Sequence, residues 1–187
     1  MTLAQIKLLA LRQLDEDPQD VSEYDDIFRA YANMGYGIAV REYLRPRETY
    51  AIQTDGDGRA RMPGQEVARV VAVTDEEGRG VRFEIEADGE RIHTDEKEKR
   101  LSAVCEVLYA PMEEDTDEPR LPADAHPALA DYICYRHLSS GNLAKQSRAQ
   151  FFLNSFYQQM RAIRPQGMGS VTRKRNLYAV SDVRYVR

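Results

Sequence analysis

The sequence is poor in the residues that most often carry catalysis or bind metals. It has two cysteines, three histidines and no tryptophan in 187 residues. Cys105 and Cys134 lack CxxC spacing and lie among apolar residues, which predicts two reduced core cysteines in a cytosolic protein; one disulfide is the alternative. His93, His126 and His137 show no metal-binding spacing. The sequence therefore predicts no metal site and no cofactor.

Long apolar runs, a leader peptide and a strong overall charge are also missing. No stretch approaches about eighteen apolar residues, and the start lacks a basic n-region and a cleavage site. The net charge of −5 disfavours binding of the whole chain to nucleic acid or an anionic membrane through bulk electrostatics. The composition, 42% hydrophobic and 30% charged, is typical of a folded domain. We expect a soluble protein made in the cytoplasm.

Sequence motifs of enzymes are absent as well. There is no phosphate-binding glycine loop, nucleophile elbow or paired-carboxylate signature. Asp131 and His137 are six residues apart on a predicted helix and so face different sides. Residues 55–58 (Asp-Gly-Asp-Gly) resemble the front of a calcium loop, but cations stand at two ligand positions, Arg59 and Arg61. We expect a hairpin turn there and a protein that is not an enzyme.

Apolar periodicity predicts two helices at the start of the chain. Thr2 and Gln5 have the spacing of a capping box and begin a helix that runs to about Leu14. Asp20 and Glu23 form a second box, and the helix after it ends before residue 46. The predicted apolar stripe of this second helix is Tyr24, Ile27, Phe28, Tyr31, Gly35 and Ile38.

Two further helices are predicted near the other end of the chain. Pro127 suits the first turn of a helix that stops at residues 141–142, and the next helix spans 144–164. We expect residues 2–44 and 127–164 to form one helical core, because each apolar stripe is too narrow to be stable alone. The stripe of the last helix is Ala149, Phe152, Phe156, Met160 and Ile163.

Between these helix pairs the hydrophobic period changes from near 3.6 to 2, which predicts a β-rich insertion. Strand patterns separated by turn signals continue to Pro111 and indicate five or six antiparallel strands in meander order. The predicted fold class is α+β, a helical bundle of about four helices with an inserted antiparallel β-subdomain and an extended C-terminal arm. The predicted parts are 1–46 and 127–166 for the bundle, 47–111 for the insertion, 112–126 for an acidic, proline-containing linker, and 167–187 for the arm.

The end of the chain differs in charge from the rest. Residues 113–118 carry five acids and no base, whereas 168–187 carry five basic residues and one acid. Apolar and aromatic residues follow the basic cluster, a mixture that suits docking on a protein by strand addition or in a groove. The alternative is a nucleic-acid-binding module that uses the same basic tail. The predicted partner-binding residues are Arg173, Lys174, Arg175, Leu177, Tyr178, Val180, Val183 and Tyr185.

The order of these parts resembles the head-to-tail adaptor, or connector, proteins of tailed bacteriophages, including the tail tubular protein A type. The similar features are the N-terminal helix pair, the β insertion, the proline-rich segment 118–122 that leads into 126–132 (His-Pro-Ala-Leu-Ala-Asp-Tyr), the long helix 144–164 and the tail. The simplest adaptors are nearly all helical, so the insertion of about sixty residues distinguishes this sequence from them.

The resemblance implies a structural protein in the neck of the virion. It would form a homo-oligomeric ring, commonly of twelve copies, between the portal protein and the tail or stopper protein. The C-terminal arm would dock on the portal, and genomic DNA would pass through the channel without sequence-specific binding. An acidic body suits a channel wall, because repulsion of phosphate lets DNA slide. Assembly would take place in the host cytoplasm, without a membrane partner.

Overall fold

The computed structural model describes residues 1–163 except residues 18, 20 and 65. Within this part the chain is α+β, as predicted, with four helices and two antiparallel sheets. The helices are α1 (Leu3–Leu14), α2 (Val21–Ile38), α3 (His126–Leu138) and α4 (Leu143–Ala162); a π-helical segment, Ala39–Leu44, continues α2, and a short 3₁₀ helix, Ala123–Ala125, precedes α3. The predicted arm, 167–187, lies outside the described residues.

Local capping signals set the ends of the helices. The Thr2 hydroxyl accepts from the Gln5 amide, and the Gln5 side chain accepts from the Thr2 amide, so the predicted capping box is confirmed. Asp15 adopts a left-handed conformation (φ 63°) and ends α1. Asn142 caps the start of α4 by accepting from the Lys145 amide.

The helical core surrounds α3, which contacts each of the other three helices. Every residue of the predicted α4 stripe is buried, which confirms that prediction. The α2 stripe is right at Phe28 but wrong at Ile27, whose side chain is 44% exposed. Where α2 crosses α3, a Cβ atom on Gly35 would lie 3.0 Å from Cγ of Tyr132, so a larger residue there would require the Tyr132 side chain to shift by a few tenths of an ångström.

The β insertion forms two small sheets around an apolar core of its own. The four-stranded sheet has the order β1-β7-β3-β4, and the three-stranded sheet has the order β2-β6-β5. The predicted meander order is therefore wrong, although all pairings are antiparallel as predicted. The strands are β1 (Arg47–Gln53), β2 (Arg59–Arg61), β3 (Val67–Thr74), β4 (Gly80–Val81), β5 (Phe83–Ile85), β6 (Arg91–Thr94) and β7 (Arg100–Val107).

The first and last strands of the insertion pair with each other, in register from Arg47 opposite Glu106 to Gln53 opposite Arg100. The Val107 amide also donates to the Pro46 carbonyl oxygen at 3.0 Å. The chain consequently enters and leaves the β unit at one place. This arrangement lets α2 and α3 pack together although the whole insertion separates them in sequence.

Within the described residues, no helix combines the length and the apolar character that crossing a membrane requires.

Candidate partner-binding site

The two thiols are placed where they cannot act as nucleophiles. Cys105 is buried in the β core and Cys134 in the helical core, and both are free. Burial raises the pKa of the Cys105 thiol and raises that of Cys134 to about 12. A reactive cysteine needs the opposite shift, so both thiols are structural.

The histidines are spread over the two units. The Nε2 atom of His126 lies 3.0 Å from the Leu121 carbonyl oxygen, which fixes the segment that precedes α3. His137 packs edge-on against Phe28, with ring centroids 5.7 Å apart, and burial lowers its pKa. His93 lies on β6. Among the described residues, no three His, Cys, Asp or Glu side chains are grouped so that they could hold a metal ion.

Asp131 is a buried carboxylate that ties three helices together. Its oxygens accept from Nε2 of Gln13 on α1 at 3.0 Å, from Oγ of Ser155 on α4 at 2.6 Å and from Nε2 of Gln159 on α4 at 2.7 Å. Burial raises the pKa of Asp131, although the three hydrogen bonds oppose that shift. The side chain is 5% exposed, so we assign it to holding the helices together.

The sequence 55–58 forms the turn that was predicted from it. The Asp55 carboxylate accepts from the Arg59 amide at 2.8 Å and from the Asp57 amide at 2.9 Å, and these bonds lower its pKa. The same pattern, Thr-Asp-x-x-Gly-Arg, returns at 74–79, where Asp75 accepts from the Arg79 amide at 2.7 Å. In both turns the carboxylate accepts from backbone amides of its own turn. The turn at 74–79 joins the paired strands β3 and β4, but the predicted hairpin at 55–58 is wrong, because β1 and β2 belong to different sheets and do not pair with each other.

The acidic segment, residues 113–118, is packed onto the helical unit, which consists of α1 to α4. Lys7 on α1 is buried and donates to Asp25 on α2 and to Asp115 of the segment. The Leu3 amide, one of the free donors at the start of α1, donates to the Asp117 carbonyl oxygen at 2.8 Å. The predicted linker therefore caps α1 and holds the first two helices together.

A cleft of about 380 Å³ opens where the helical unit meets the β unit. Its volume lies in the usual range of ligand sites, about 300–1,000 Å³. Its walls come from α2, from β1, from the residue before β3, from the end of β7 with the chain that follows it, and from residues 117–120. Residues that line it include Tyr36, Glu48, Glu66, Tyr109, Glu118 and Arg120.

Negative charge dominates this cleft. Glu48, Glu66 and Glu118 form no ion pair with any residue that the structure describes. Arg120 is the one cation that the described residues place in the wall, and its guanidinium lies 5.3 Å from the ring centroid of Tyr109. Burial raises the pKa of the Tyr109 phenol, which keeps the ring neutral. The cleft thus offers unpaired carboxylates beside aromatic surface, a combination that suits a cation flanked by apolar groups.

Two helices carry large apolar side chains on their outer faces. On α2, Ile27 is 44% exposed and Met34 is 49% exposed. On α4, Phe151 is 68% exposed and Leu143 is 82% exposed. Each pair spans about two helical turns, so its members lie on one face of the helix.

Sequence reasoning missed the cleft, because its residues come from five separate segments. One signal was available for Lys7, which lies four residues after Leu3 and three before Ala10 and thus falls on the buried stripe.

The predicted partner-binding residues Arg173, Lys174, Arg175, Leu177, Tyr178, Val180, Val183 and Tyr185 lie outside the described residues. No protein-family model matches the sequence, and no curated protein matches it.

Proposed function

We propose that this chain is a structural virion protein, a head-to-tail adaptor that forms a ring between the portal and the tail or stopper. The observation that carries the proposal is the pair of exposed apolar faces, one on α2 and one on α4. A closed ring is built by a head-to-tail interface, in which each copy contacts its neighbours through two different surfaces. Two apolar faces on two helices meet that requirement.

The ring interface would bury these side chains. Single apolar side chains are common on protein surfaces, but two on one face of each helix form a strip that a neighbour can cover. Full burial of a side chain such as Phe151 or Leu143 stabilises an interface by about 1.5–3 kcal/mol. Ile27 and Met34 supply the facing surface on α2.

The adaptor role assigns functions to the other parts of the chain. The arm, 167–187, docks on the portal through its basic cluster and the apolar residues that follow. The net charge of −5 lets DNA pass along the ring axis without being held. Cofactors and catalysis have no part in this role.

Sedimentation of the full chain, alone and mixed with the portal protein of the same virus, tests the proposal. We expect a particle many times heavier than the 21.4 kDa chain, which binds the portal. Ile27→Glu and Phe151→Glu should each yield single chains that retain their helical circular dichroism, because a charge on either face blocks the interface. Ile85→Glu is the matched control, since Ile85 is 45% exposed but lies on β5.

Two results contradict the adaptor role. One is a single chain at every concentration, with and without the portal. The other is tight binding to DNA that falls steeply with salt, which would favour the nucleic-acid-binding alternative.

A further inference from the structure

We propose that the cleft between the helical and β units binds the basic segment 173–178 of the same chain. The segment reads Arg-Lys-Arg-Asn-Leu-Tyr, three cations followed by two large apolar residues after a single asparagine. Binding within the chain goes beyond the adaptor role, and only its consequence for portal docking rests on that proposed function.

Charge complementarity is the first argument. The cleft has four carboxylates without an ion-pair partner in the described part of the chain, Glu48, Glu66, Asp117 and Glu118. The segment 173–175 supplies three consecutive cations, the most compact basic cluster of the sequence. Arg120 does not neutralise the cleft, because one cation faces several acids.

The apolar content of the cleft and the segment also matches. Tyr36 and Tyr109 line the cleft together with Pro111 and Val107. Leu177 and Tyr178 directly follow the basic residues. Seated cations would therefore bring two apolar side chains to an aromatic wall, where burial adds to the electrostatic attraction.

The end of α4 lies close enough for the same chain to reach the cleft. Ala162 and Ile163 line a small depression together with Pro122, and Pro122 is two residues from Arg120 in the cleft wall. Two residues span at most about 7 Å, whereas the ten residues 164–173 span up to about 33 Å. The high effective concentration of a tethered segment favours its own cleft over that of a second copy.

Occupation of the cleft would control when the arm is available. Before assembly the basic cluster would be neutralised by the body of its own chain. A portal surface that binds the arm would have to displace it from the cleft. Premature docking on other acidic proteins would be reduced for the same reason.

Cross-linking in the full chain tests the proposal. The variant Ala110→Cys/Asn176→Cys places one thiol in the exposed wall of the cleft and one in the segment, without changing any charge. The native thiols are buried and their pKa values are raised, so a bifunctional maleimide reacts with the introduced ones. Glu84→Cys/Asn176→Cys is the control pair, with the first thiol at an exposed position on β5.

We expect the cleft pair to form a link within one chain about tenfold faster than the control pair at low salt. The rate should fall toward that of the control in about 1 M salt, where the Debye length is about 3 Å. Adding Glu66→Lys and Glu118→Lys should have the same effect at low salt. Equal rates for the two pairs, or no response to salt and charge reversal, would overturn the proposal. Links between chains, seen as dimers on a denaturing gel, would also overturn it and assign the cleft to a second copy.

Discussion

The carboxamide of Asn33 pairs with the backbone of Met112 through two hydrogen bonds. Its nitrogen donates to the Met112 carbonyl oxygen and its oxygen accepts from the Met112 amide, both at 2.8 Å. Asn33 lies on α2, and Met112 is a buried residue that follows the β unit. The side chain thus satisfies backbone groups that no strand or helix serves, and it fixes the exit of the β unit to the helical unit.

Asn33→Ala should destabilise the protein by about 1–3 kcal/mol, because the amide and the carbonyl of Met112 lose their partners. Urea unfolding measures the change in the free energy of unfolding. Asn154→Ala is the control, since Asn154 is exposed on α4 and bonds only to Gln150 in the described structure. Equal stability of the two variants would show that the Asn33 pair contributes nothing.

Phe152→Ala and Phe156→Ala should each cost about 3–5 kcal/mol, because both rings are buried in the helical core. Phe151→Ala should change the stability by no more than about 0.5 kcal/mol in the single chain, because that ring is exposed. Thermal melting of the three variants checks whether the two core variants are less stable than Phe151→Ala. Near-wild-type melting of either core variant would mean that its ring is not buried in solution.

Gly58→Ala and Gly78→Ala separate backbone strain from steric conflict. Both glycines have a left-handed φ, 79° and 78°, so each substitution carries a strain of about 1–2 kcal/mol. At Gly58 an added Cβ would also lie 2.2 Å from the Thr94 carbonyl oxygen, whereas nothing lies within 4 Å at Gly78. We expect Gly58→Ala to lower the free energy of unfolding by roughly 3 kcal/mol or more. If chemical denaturation shows that the two variants lose the same free energy of unfolding, the proposed steric conflict with Thr94 is wrong.

Asp131 should make the protein less stable as pH rises. Its pKa is raised in the folded chain, so in the window above the ordinary carboxyl pKa the folded state holds a proton that the unfolded state has released. Its contribution to stability is complete below that window and is lost as pH rises through the folded pKa. Asp131→Asn should remove this loss of stability, because an amide does not titrate. The side-chain amides of Gln13 and Gln159 can rotate to form hydrogen bonds with the new carboxamide.

The measurement is the free energy of unfolding of the wild type and of Asp131→Asn, from about pH 3 to about pH 7. The difference, wild type minus variant, should fall steadily across this range. A difference that stays constant or grows with pH would mean that the pKa of Asp131 is not raised.

Replacing residues 48–106 with a short Gly-Ser linker should leave a soluble helical protein. The Val107 amide and the Pro46 carbonyl oxygen are 3.0 Å apart, so a few residues close the gap, and the helical unit has its own apolar core. Circular dichroism and thermal melting check the outcome. Complete loss of the helical signal would show that the helices need the β unit in order to fold.

The sequence determined the helices and, for α4, the buried face, because the signals for both are local. The capping box at Thr2 and Gln5 and the α4 stripe each lie within a few turns of one helix, and each is present as predicted. The turn at 55–58, although not a hairpin, follows from turn chemistry over a few residues. The change of hydrophobic period likewise located the β insertion and its antiparallel character.

Only the tertiary structure decided which distant segments meet. Periodicity identifies strands but not partners, so the pairing of β1 with β7 and the close approach of Tyr36 to Arg120 had no local signal. The exposure of Ile27 depends on how α2 lies against α3, which its own spacing cannot fix. Long-range contacts are selected by the packing of whole elements, and the cleft between the two units is a product of that packing.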